Sequence, residues 1–338
     1  MKKSLLAVAV LGLGAFAGAA SAQTNVTIYG VADVGFQRVD NDRDSTNRVD
    51  SGLQSGSRIG FRGTEDLGGG LSAIFTLENG FNADDGTLGQ GGRLFGRQAF
   101  VGLNSTGIGA LKFGRQYNPI RTAVETTDPF ALGLAGNAAN VFNVYGDRAD
   151  NTVNYSTPNW GGLTGQLAYS FGEVAGSNAI GRQLGASVGY AGGPFGVVLA
   201  YHDQNLATAG VATGDANSVF LGGTWDFGVA KLHGAYATNK GDTAAGVRNV
   251  DRDEAMLGVT VPFGASKILA SYIHRKDDLV GGRDADQIAI GYTYDLSKRT
   301  NLYTSYAYTK NEAAATVNAP AAPGGDPTVF NVGIRHRF

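Results

Sequence analysis

Apolar and polar residues alternate with a period of two along most of this chain. In the first alternating segment the apolar residues share one parity, and Asp33 lies on the other. Those apolar residues are Ile28, Gly30, Ala32, Val34 and Phe36. Successive side chains of a β-strand point to opposite faces of the sheet, so each segment predicts a strand with one apolar face. We count 16 such segments, which predicts an all-β antiparallel sheet of 16 strands.

The connections between these segments alternate between short turns and long polar loops. This layout is typical of outer-membrane barrels, whose short turns lie at one rim and whose long loops lie at the other. One connection is different, because about thirty residues between Arg115 and Asp150 show no alternation, and connections of that length are usually functional or disordered. Its many apolar side chains argue against disorder.

Composition narrows the class of barrel. The chain has 52 glycines, 8 prolines, 14 tyrosines and 17 phenylalanines but no cysteine, which excludes a disulfide framework. After residue 22 no run of 18 apolar residues occurs, so no membrane-spanning helix is predicted. In a bilayer only a closed sheet pairs all its backbone groups without helices. We therefore predict a transmembrane β-barrel with an aqueous channel and no large hydrophobic core, and we expect the unpatterned connection to fold inward and narrow that channel.

The first 22 residues are expected to be removed from the mature chain. Lys2 and Lys3 form a basic start, residues 5–20 are apolar, and residues 20–22 (ASA) are an A-x-A cleavage site. This predicts a signal peptide over residues 1–22 and one barrel domain over residues 23–338. Removal of Lys2 and Lys3 reduces the 27 basic residues to 25 against 29 acidic ones, and the resulting net charge of −4 argues against nucleic-acid binding.

Charged residues recur on the polar parity of the first strands. They are Asp33, Arg58, Arg62, Glu78 and Arg97, the last of which lies on the parity opposite to Phe100. A wet lumen requires polar inward side chains, so we predict that these five residues line the channel. Arg115 instead shares its parity with Leu111, Phe113 and Tyr117, which favours a contact between subunits over a role in the channel.

Several motifs occur in a fixed order along the chain. They are residues 26–30 (VTIYG), 57–65 (SRIGFRGTE), 97–103 (RQAFVGL), 113–116 (FGRQ), 154–158 (NYSTP) and the terminal Phe338. As an ordered set they resemble the Gram-negative general porins, especially the beta-proteobacterial branch. The resemblance implies a homotrimer of 16-stranded outer-membrane barrels in which the third extracellular loop folds inward as a constriction. It also implies passive diffusion of ions and small hydrophilic solutes, without catalysis.

Carried over residue by residue, the resemblance places Arg58 and Arg97 in a lumenal arginine cluster. It places Glu125 and Asp128 in the loop that faces this cluster. A transverse electric field between the two groups would then orient polar solutes. For both carboxylates a loop-anchoring role stays open as an alternative, and Asp128 also precedes a proline in a turn sequence.

One position departs from the family pattern. Some relatives carry a further arginine where this chain has Asn154, and Arg148 is a candidate to replace it. The departure argues against a strong anion selectivity, so a weak anion preference is expected.

The last strand ends in an aromatic residue. A terminal Phe338 resembles the sorting signal of bacterial outer-membrane proteins, so we expect recognition by the barrel assembly machinery. The implied neighbours of the folded barrel are outer-membrane lipid and lipopolysaccharide. The four histidines are scattered without the spacing of a metal site, so neither a metal nor a cofactor is expected.

Two other classes of function stay open at this point. A substrate-specific outer-membrane channel would carry an aromatic slide or a ladder of arginines, and the sequence shows neither clearly. An outer-membrane barrel enzyme would need a nucleophile and a base at the outer rim, but no G-x-S-x-G, P-loop or H-E-x-x-H motif occurs. A general diffusion channel is therefore the favoured function.

Overall fold

The computed structural model describes residues 25–142, 146–279 and 281–338. The expected signal peptide over residues 1–22 lies outside them. Within these three ranges, no helix is both long enough and apolar enough to cross a membrane.

One closed antiparallel sheet organises the described chain. From β3 onward each strand pairs with the next, and β17 pairs with β1 so that Val31 lies opposite Arg337 and Asp40 lies opposite Thr328. The strands are β1 (Asn25–Asp40), β2 (Ser45–Ser51), β3 (Arg58–Gly68), β4 (Leu71–Gly80), β5 (Gln98–Ser105), β6 (Gly109–Tyr117), β7 (Arg148–Ser156), β8 (Leu163–Ser170), β9 (Gln183–Gly192), β10 (Phe195–Thr208), β11 (Val211–Asp226), β12 (Lys231–Thr243), β13 (Arg248–Phe263), β14 (Ser266–Asp277), β15 (Ala285–Asp295), β16 (Thr300–Asn311) and β17 (Thr328–Arg337).

Strands β2 and β3 together occupy one position in the barrel wall. Both pair with the same edge of β1, β2 along residues 34–40 and β3 along residues 25–31. Residues 52–57 separate them and leave the sheet. The wall therefore has 16 positions around its circumference, which confirms the predicted 16-stranded barrel.

The outer face of the barrel is apolar and carries aromatic side chains near the short-turn rim. Phe195, Trp225 and Phe227 follow one another there, with ring centroids 5.9 and 6.1 Å apart. Phe263 and Tyr292 lie 6.4 Å apart beside another short turn. Aromatic rows of this kind sit at the level of lipid headgroups, because their rings are amphipathic.

The connection between β6 and β7 contains helix α1 (Pro119–Thr127) and a 3₁₀ turn (Ala138–Asn140). Pro119 takes the first helical position, where its missing N–H has no intrahelical partner to lose and its fixed φ suits the helix. Sequence periodicity missed this helix, since nine residues contain too few turns to establish a 3.6-residue period. A left-handed turn spans Gly89–Gly92 between β4 and β5, with φ of 49° at Gln90 and 72° at Gly91.

The prediction of no large hydrophobic core is wrong. A buried apolar cluster joins α1 and the following turn to the inner faces of β10–β15, with Val124, Phe142, Phe220 and Ile273 at its centre. Val317, from the connection between β16 and β17, packs into the same cluster. A second cluster surrounds Phe130, Leu134 and Tyr303. Apolar residues of the long connection thus cover part of the wall that alternation alone would leave wet.

Candidate functional site

The 118–142 segment, which contains α1, is bonded to strands on nearly opposite sides of the barrel. The ring Nδ1 of His233 on β12 lies 2.7 Å from the carbonyl oxygen of Thr127. The backbone N–H of Leu134 donates to the carbonyl oxygen of Leu53, in the break between β2 and β3, over 2.6 Å. The segment therefore connects two parts of the wall that are far apart around the barrel.

Gln287 of β15 ties this segment to the last long connection. Its side-chain oxygen accepts hydrogen bonds of 3.0 Å from the amides of Asn140 and Asn318. Gln287 is fully buried, so the acceptor of both bonds is shielded from water. The two connections therefore support each other at one point of the wall.

Glycines on four wall strands provide the space that the segment needs. A Cβ atom at Gly185 would lie 2.7 Å from Pro119, one at Gly258 would lie 2.7 Å from Pro129, and one at Gly291 would lie 2.8 Å from Phe130. A Cβ atom at Gly222 would overlap the side chain of Thr127. Because these four positions lack side chains, the segment can pack directly against the strands. A larger residue at any of them would push the segment away, since packed interiors have little free volume.

Asp128 anchors the segment from inside. Its carboxylate accepts hydrogen bonds of 2.9, 2.9 and 3.0 Å from the backbone N–H groups of Phe130, Leu132 and Ala138. Asp128 is only 3% exposed, and burial raises its pKa to about 6 although the three N–H groups favour the charged form. The carboxylate is therefore enclosed in the segment and does not face open water.

Three guanidinium groups surround the side chain of Tyr117. The phenolic oxygen accepts hydrogen bonds of 2.6 Å from Arg97 Nη2 and 3.1 Å from Arg148 Nη2. The guanidinium carbons of Arg121, Arg148 and Arg97 lie 4.1, 4.5 and 6.0 Å from the ring centroid. A π face attracts cations, so the tyrosine brings together charges that would otherwise repel each other.

Arg97 also forms a buried ion pair. Its Nε lies 2.8 Å from Glu78 Oε1, and both side chains are less than 8% exposed. Glu78 accepts a further hydrogen bond of 2.9 Å from the phenol of Tyr29. Arg58 interacts electrostatically with Arg97 and Glu78 but donates its own Nε–H to the carbonyl oxygen of Gly56. We refer to Arg58, Arg97, Arg121 and Arg148 as the arginine cluster.

Glu125 is the exposed carboxylate of α1. It pairs with Arg121 one helical turn earlier, and its side chain is 41% exposed. Asp147 lies 3.4 Å from Arg148 and is 51% exposed. The four arginines therefore meet three carboxylates, those of Glu78, Glu125 and Asp147, which leaves one net positive charge.

Asp33 is fully buried at the break between β2 and β3. Its carboxylate accepts hydrogen bonds of 3.0 and 2.6 Å from the backbone N–H groups of Gln54 and Ser55, and one of 2.6 Å from the phenol of Tyr303. Residues 52–57 leave the sheet and lose its backbone hydrogen bonds. The Asp33 carboxylate supplies an acceptor for two of their N–H groups.

Arg62 and Arg115 lie on different faces. Arg62 is on the inner face and exposed, with its guanidinium carbon 5.1 Å from the ring centroid of Tyr29. Arg115 is on the outer face, where it forms an ion pair of 2.7 Å with Asp150. Arg93 approaches the other oxygen of Asp150 at 2.8 Å.

Two further residues entered the sequence argument, Phe100 as the parity reference for Arg97 and Asn154 as the departure from the family pattern. Phe100 lies on the inner face, in register with Thr76 and Gly114, so the parity argument for Arg97 is wrong in its premise. Arg97 precedes β5 and turns inward because alternation does not constrain a residue outside the strand. Asn154 is buried and accepts a hydrogen bond of 3.0 Å from Ser156.

Sequence reasoning missed Tyr117 and Arg121. Tyr117 is the last residue of β6, where the chain leaves the wall, so its parity with Phe113 does not fix its direction. Arg121 and Glu125 have the spacing of four residues that joins opposite charges on a helix. Pro119 followed by Arg121 and Glu125 could therefore have predicted both the helix and its ion pair from the sequence.

Comparisons with known proteins agree over nearly the whole chain. A family model described as Gram-negative porin matches residues 7–314. The chain is 38% identical to an outer membrane porin protein of Bordetella pertussis and 36% identical to outer membrane porin protein 32 of Delftia acidovorans, with both chains of each pair covered completely. The solved structure of an anion-selective porin from Comamonas acidovorans has a TM-score of 0.84 at 32% identity, over 94% of this chain and 100% of that one.

Proposed function

The chain belongs to the Gram-negative porin family, and from that membership we propose that its channel passes small hydrophilic solutes and ions with a weak preference for anions. It is an outer-membrane protein and a non-enzymatic channel. The anion preference rests chiefly on the excess of arginines over carboxylates around Tyr117. The anion selectivity of the Comamonas acidovorans protein favours the same sign.

The 118–142 segment would form the constriction. Its bonds to β12 and to the break beside β2 span the lumen, which supports an inward fold. The segment contributes Arg121 and Glu125 to the site, whereas β3 contributes Arg58. In a channel with low-dielectric walls such charges produce a strong local field.

Charge in the constriction would act on permeating solutes in two ways. A net positive charge raises the local concentration of anions and lowers that of cations. The field between the arginine cluster and Glu125 orients polar solutes, while apolar solutes must displace ordered water. Asp128 would hold the segment in place, since its carboxylate is enclosed.

Three copies of the chain would associate through the outer face around Arg115. Leu111 and Phe113 precede Arg115 on this face and are exposed, so they can pack against a second copy. A Vibrio cholerae structure of the same fold is described as a trimer form. Arg115→Ala is expected to weaken the trimer in mild detergent. Arg93→Ala is the matched control, because Arg93 pairs with the same Asp150 from a more exposed position.

The reversal potential across a KCl gradient tests the anion preference. Purified protein in a planar bilayer should show a small anion-selective potential, and Arg58→Gln should move it toward zero or toward cation preference. Arg58 forms no ion pair within the described chain, so this variant breaks none. Arg43→Gln, in the exposed β1–β2 connection, is the control. A cation-selective wild type, or equal potentials in the two variants, would contradict the proposal.

A further inference from the structure

Arg62 and Lys112 lie on the inner wall without an acidic partner among the described residues. Arg62 lies four residues beyond Arg58 in the direction of the short-turn rim, about 13 Å along β3 at 3.3 Å per residue. Lys112 lies on the inner face of β6, one register step from Phe100, and is half-buried. Neither side chain forms an ion pair or a hydrogen bond in the part of the chain that the structure describes.

Each of these cations lies over an aromatic ring. The guanidinium carbon of Arg62 is 5.1 Å from the Tyr29 centroid, and the amine of Lys112 is 5.6 Å from the Phe100 centroid. A cation–π contact at an exposed site is weak and leaves the charge of the cation in place. Both cations therefore stay available to an anion from solution.

A cavity of about 260 Å³ opens between Arg62 and Phe100. Arg62 is in register with Thr76, and Thr76 is in register with Phe100, so the three side chains form one row across β3, β4 and β5. Thr27 and Thr64 add hydroxyl groups to the lining. The cavity thus combines one guanidinium, three threonine hydroxyls and the inward ring of Phe100, and Asn25, Ile74 and Phe75 complete its lining.

The chemistry of this lining selects one class of solute. A guanidinium forms two parallel hydrogen bonds to a carboxylate, and threonine hydroxyls donate to its remaining lone pairs. Phe100 offers a flat apolar surface that stacks or packs edge to face with another ring. Chloride or acetate would use the charge alone, whereas an aromatic carboxylate would use both parts.

We propose that the cavity between Arg62 and Phe100 is a subsite for small aromatic monocarboxylates, which pause there between the constriction and the short-turn rim. The proposal rests on the anion pathway proposed above. Arg62 binds the carboxylate, Phe100 packs against the ring, and Lys112 raises the local anion concentration from the far side of Phe100.

Block of chloride current by added solutes tests this subsite. Benzoate, acetate and neutral benzamide are added to the wild-type channel in KCl, and the half-blocking concentration of each is measured. Benzoate should block at about tenfold lower concentration than either of the other two solutes. Arg62→Gln and Phe100→Leu should each remove most of that difference, whereas Phe100→Tyr should keep it.

Matched control variants show whether the loss of benzoate block is specific to the cavity or follows from any change of an arginine or an aromatic residue. Arg43→Gln and Phe36→Leu change an exposed arginine and an outward aromatic residue, and both should retain benzoate block. Thermal unfolding of each variant in detergent confirms that the barrel is intact. Equal block by benzoate and acetate in the wild type overturns the subsite while leaving the anion preference standing. Persistent benzoate block in Arg62→Gln or Phe100→Leu also overturns it. The reversal potential of the wild type reports separately on the proposed anion preference.

Discussion

Arg97 donates a hydrogen bond of 2.6 Å to the phenolic oxygen of Tyr117, and Arg148 donates to the same oxygen over 3.1 Å. A single neutral hydroxyl thus holds two guanidinium groups at the strand ends from which the 118–142 segment departs. The contact places positive charge at a defined point of the wall.

Replacement of Tyr117 by phenylalanine keeps the ring beneath Arg121 and removes the shared acceptor. We expect the free energy of unfolding to fall by about 1–3 kcal/mol, since bonds to charged donors are lost. The anion preference should rise, because the freed donors turn to permeating anions. Reversal potentials and thermal unfolding measure the two effects. Tyr155→Phe, which loses a bond to the carbonyl oxygen of Ile108, is the control and should leave the potential unchanged.

Removal of Arg97 should be more damaging than removal of its whole ion pair. Arg97→Ala leaves Glu78 buried without its cation, which is expected to cost about 3–5 kcal/mol of stability. The double variant with Glu78→Gln should recover part of that loss. Chemical unfolding of the single and double variants measures the coupling. A double variant less stable than Arg97→Ala would contradict the expectation.

Gly222 and Gly223 offer a direct test of how the helix docks. A Cβ atom at Gly222 would overlap Thr127, whereas one at Gly223 would meet its nearest atom at 3.8 Å. Gly222→Ala should therefore displace the end of α1, destabilise the protein by about 1–3 kcal/mol and alter single-channel conductance. Gly223→Ala should conduct like the wild type. Equal conductance in both variants would show that Thr127 yields without moving the helix.

The raised pKa of Asp128 predicts that the local stability of the 118–142 segment depends on pH. Its pKa in the folded protein, about 6, exceeds the ordinary 3.8, so the folded segment binds the proton more readily between these values. Local stability should therefore fall as pH rises from about 4 to 6, by at most about 3 kcal/mol, and stay constant above that. Hydrogen exchange at the backbone amides of Phe130, Leu132 and Ala138 measures this local stability, after correction for the pH dependence of the intrinsic exchange rates. Asp128→Asn should abolish the dependence.

Asp85 provides an internal control for that measurement. Hydrogen bonds from Thr87 hold the pKa of this exposed carboxyl below its usual range. Exchange at Thr87 should therefore show no change between pH 4 and 6. A parallel change at Thr87 and Phe130 would indicate a global effect and exclude a local role of Asp128.

Phe338 is predicted to be required for assembly. Its backbone exchanges hydrogen bonds of 2.9 and 3.1 Å with Gly30, and its ring covers the position where a Gly30 side chain would lie. Deletion of Phe338 removes these contacts together with the terminal aromatic residue. The yield of heat-resistant protein in outer-membrane fractions should fall severalfold. An undiminished yield would count against a sorting role.

Alternation along the chain predicted the number of strands but not how far they extend. Residues 40–50 are polar except for Val49 and show no alternation, which is typical of a loop, yet β1 continues to Asp40 and β2 begins at Ser45. Strands that rise above a bilayer have no lipid on either face, so their sequence has no reason to alternate. For the same reason the break at residues 52–57, which depends on Asp33 and Tyr303, left no local signal.

The arginine cluster was predictable only in part. Arg58 begins β3 but is in register with Val31 and Gly80 on the two neighbouring strands, so parity fixes its direction, and its role in the channel stays a prediction. Arg97, Tyr117 and Arg148 lie at strand ends or just beyond one, so their directions depend on where the chain leaves the wall. Such directions are set by tertiary contacts that no single segment encodes.

Pairing of β1 with β17 also has a kinetic consequence. Val31 and Arg337 meet although almost the whole described chain separates them, so the seam is a contact of extreme sequence separation. Contacts of this kind form slowly, because the entropy of a large loop is lost before the pairing energy is gained. Until then the edges of both strands are unpaired and prone to aggregate. Closure of one seam therefore determines how long the unfolded chain must be shielded from other copies of itself.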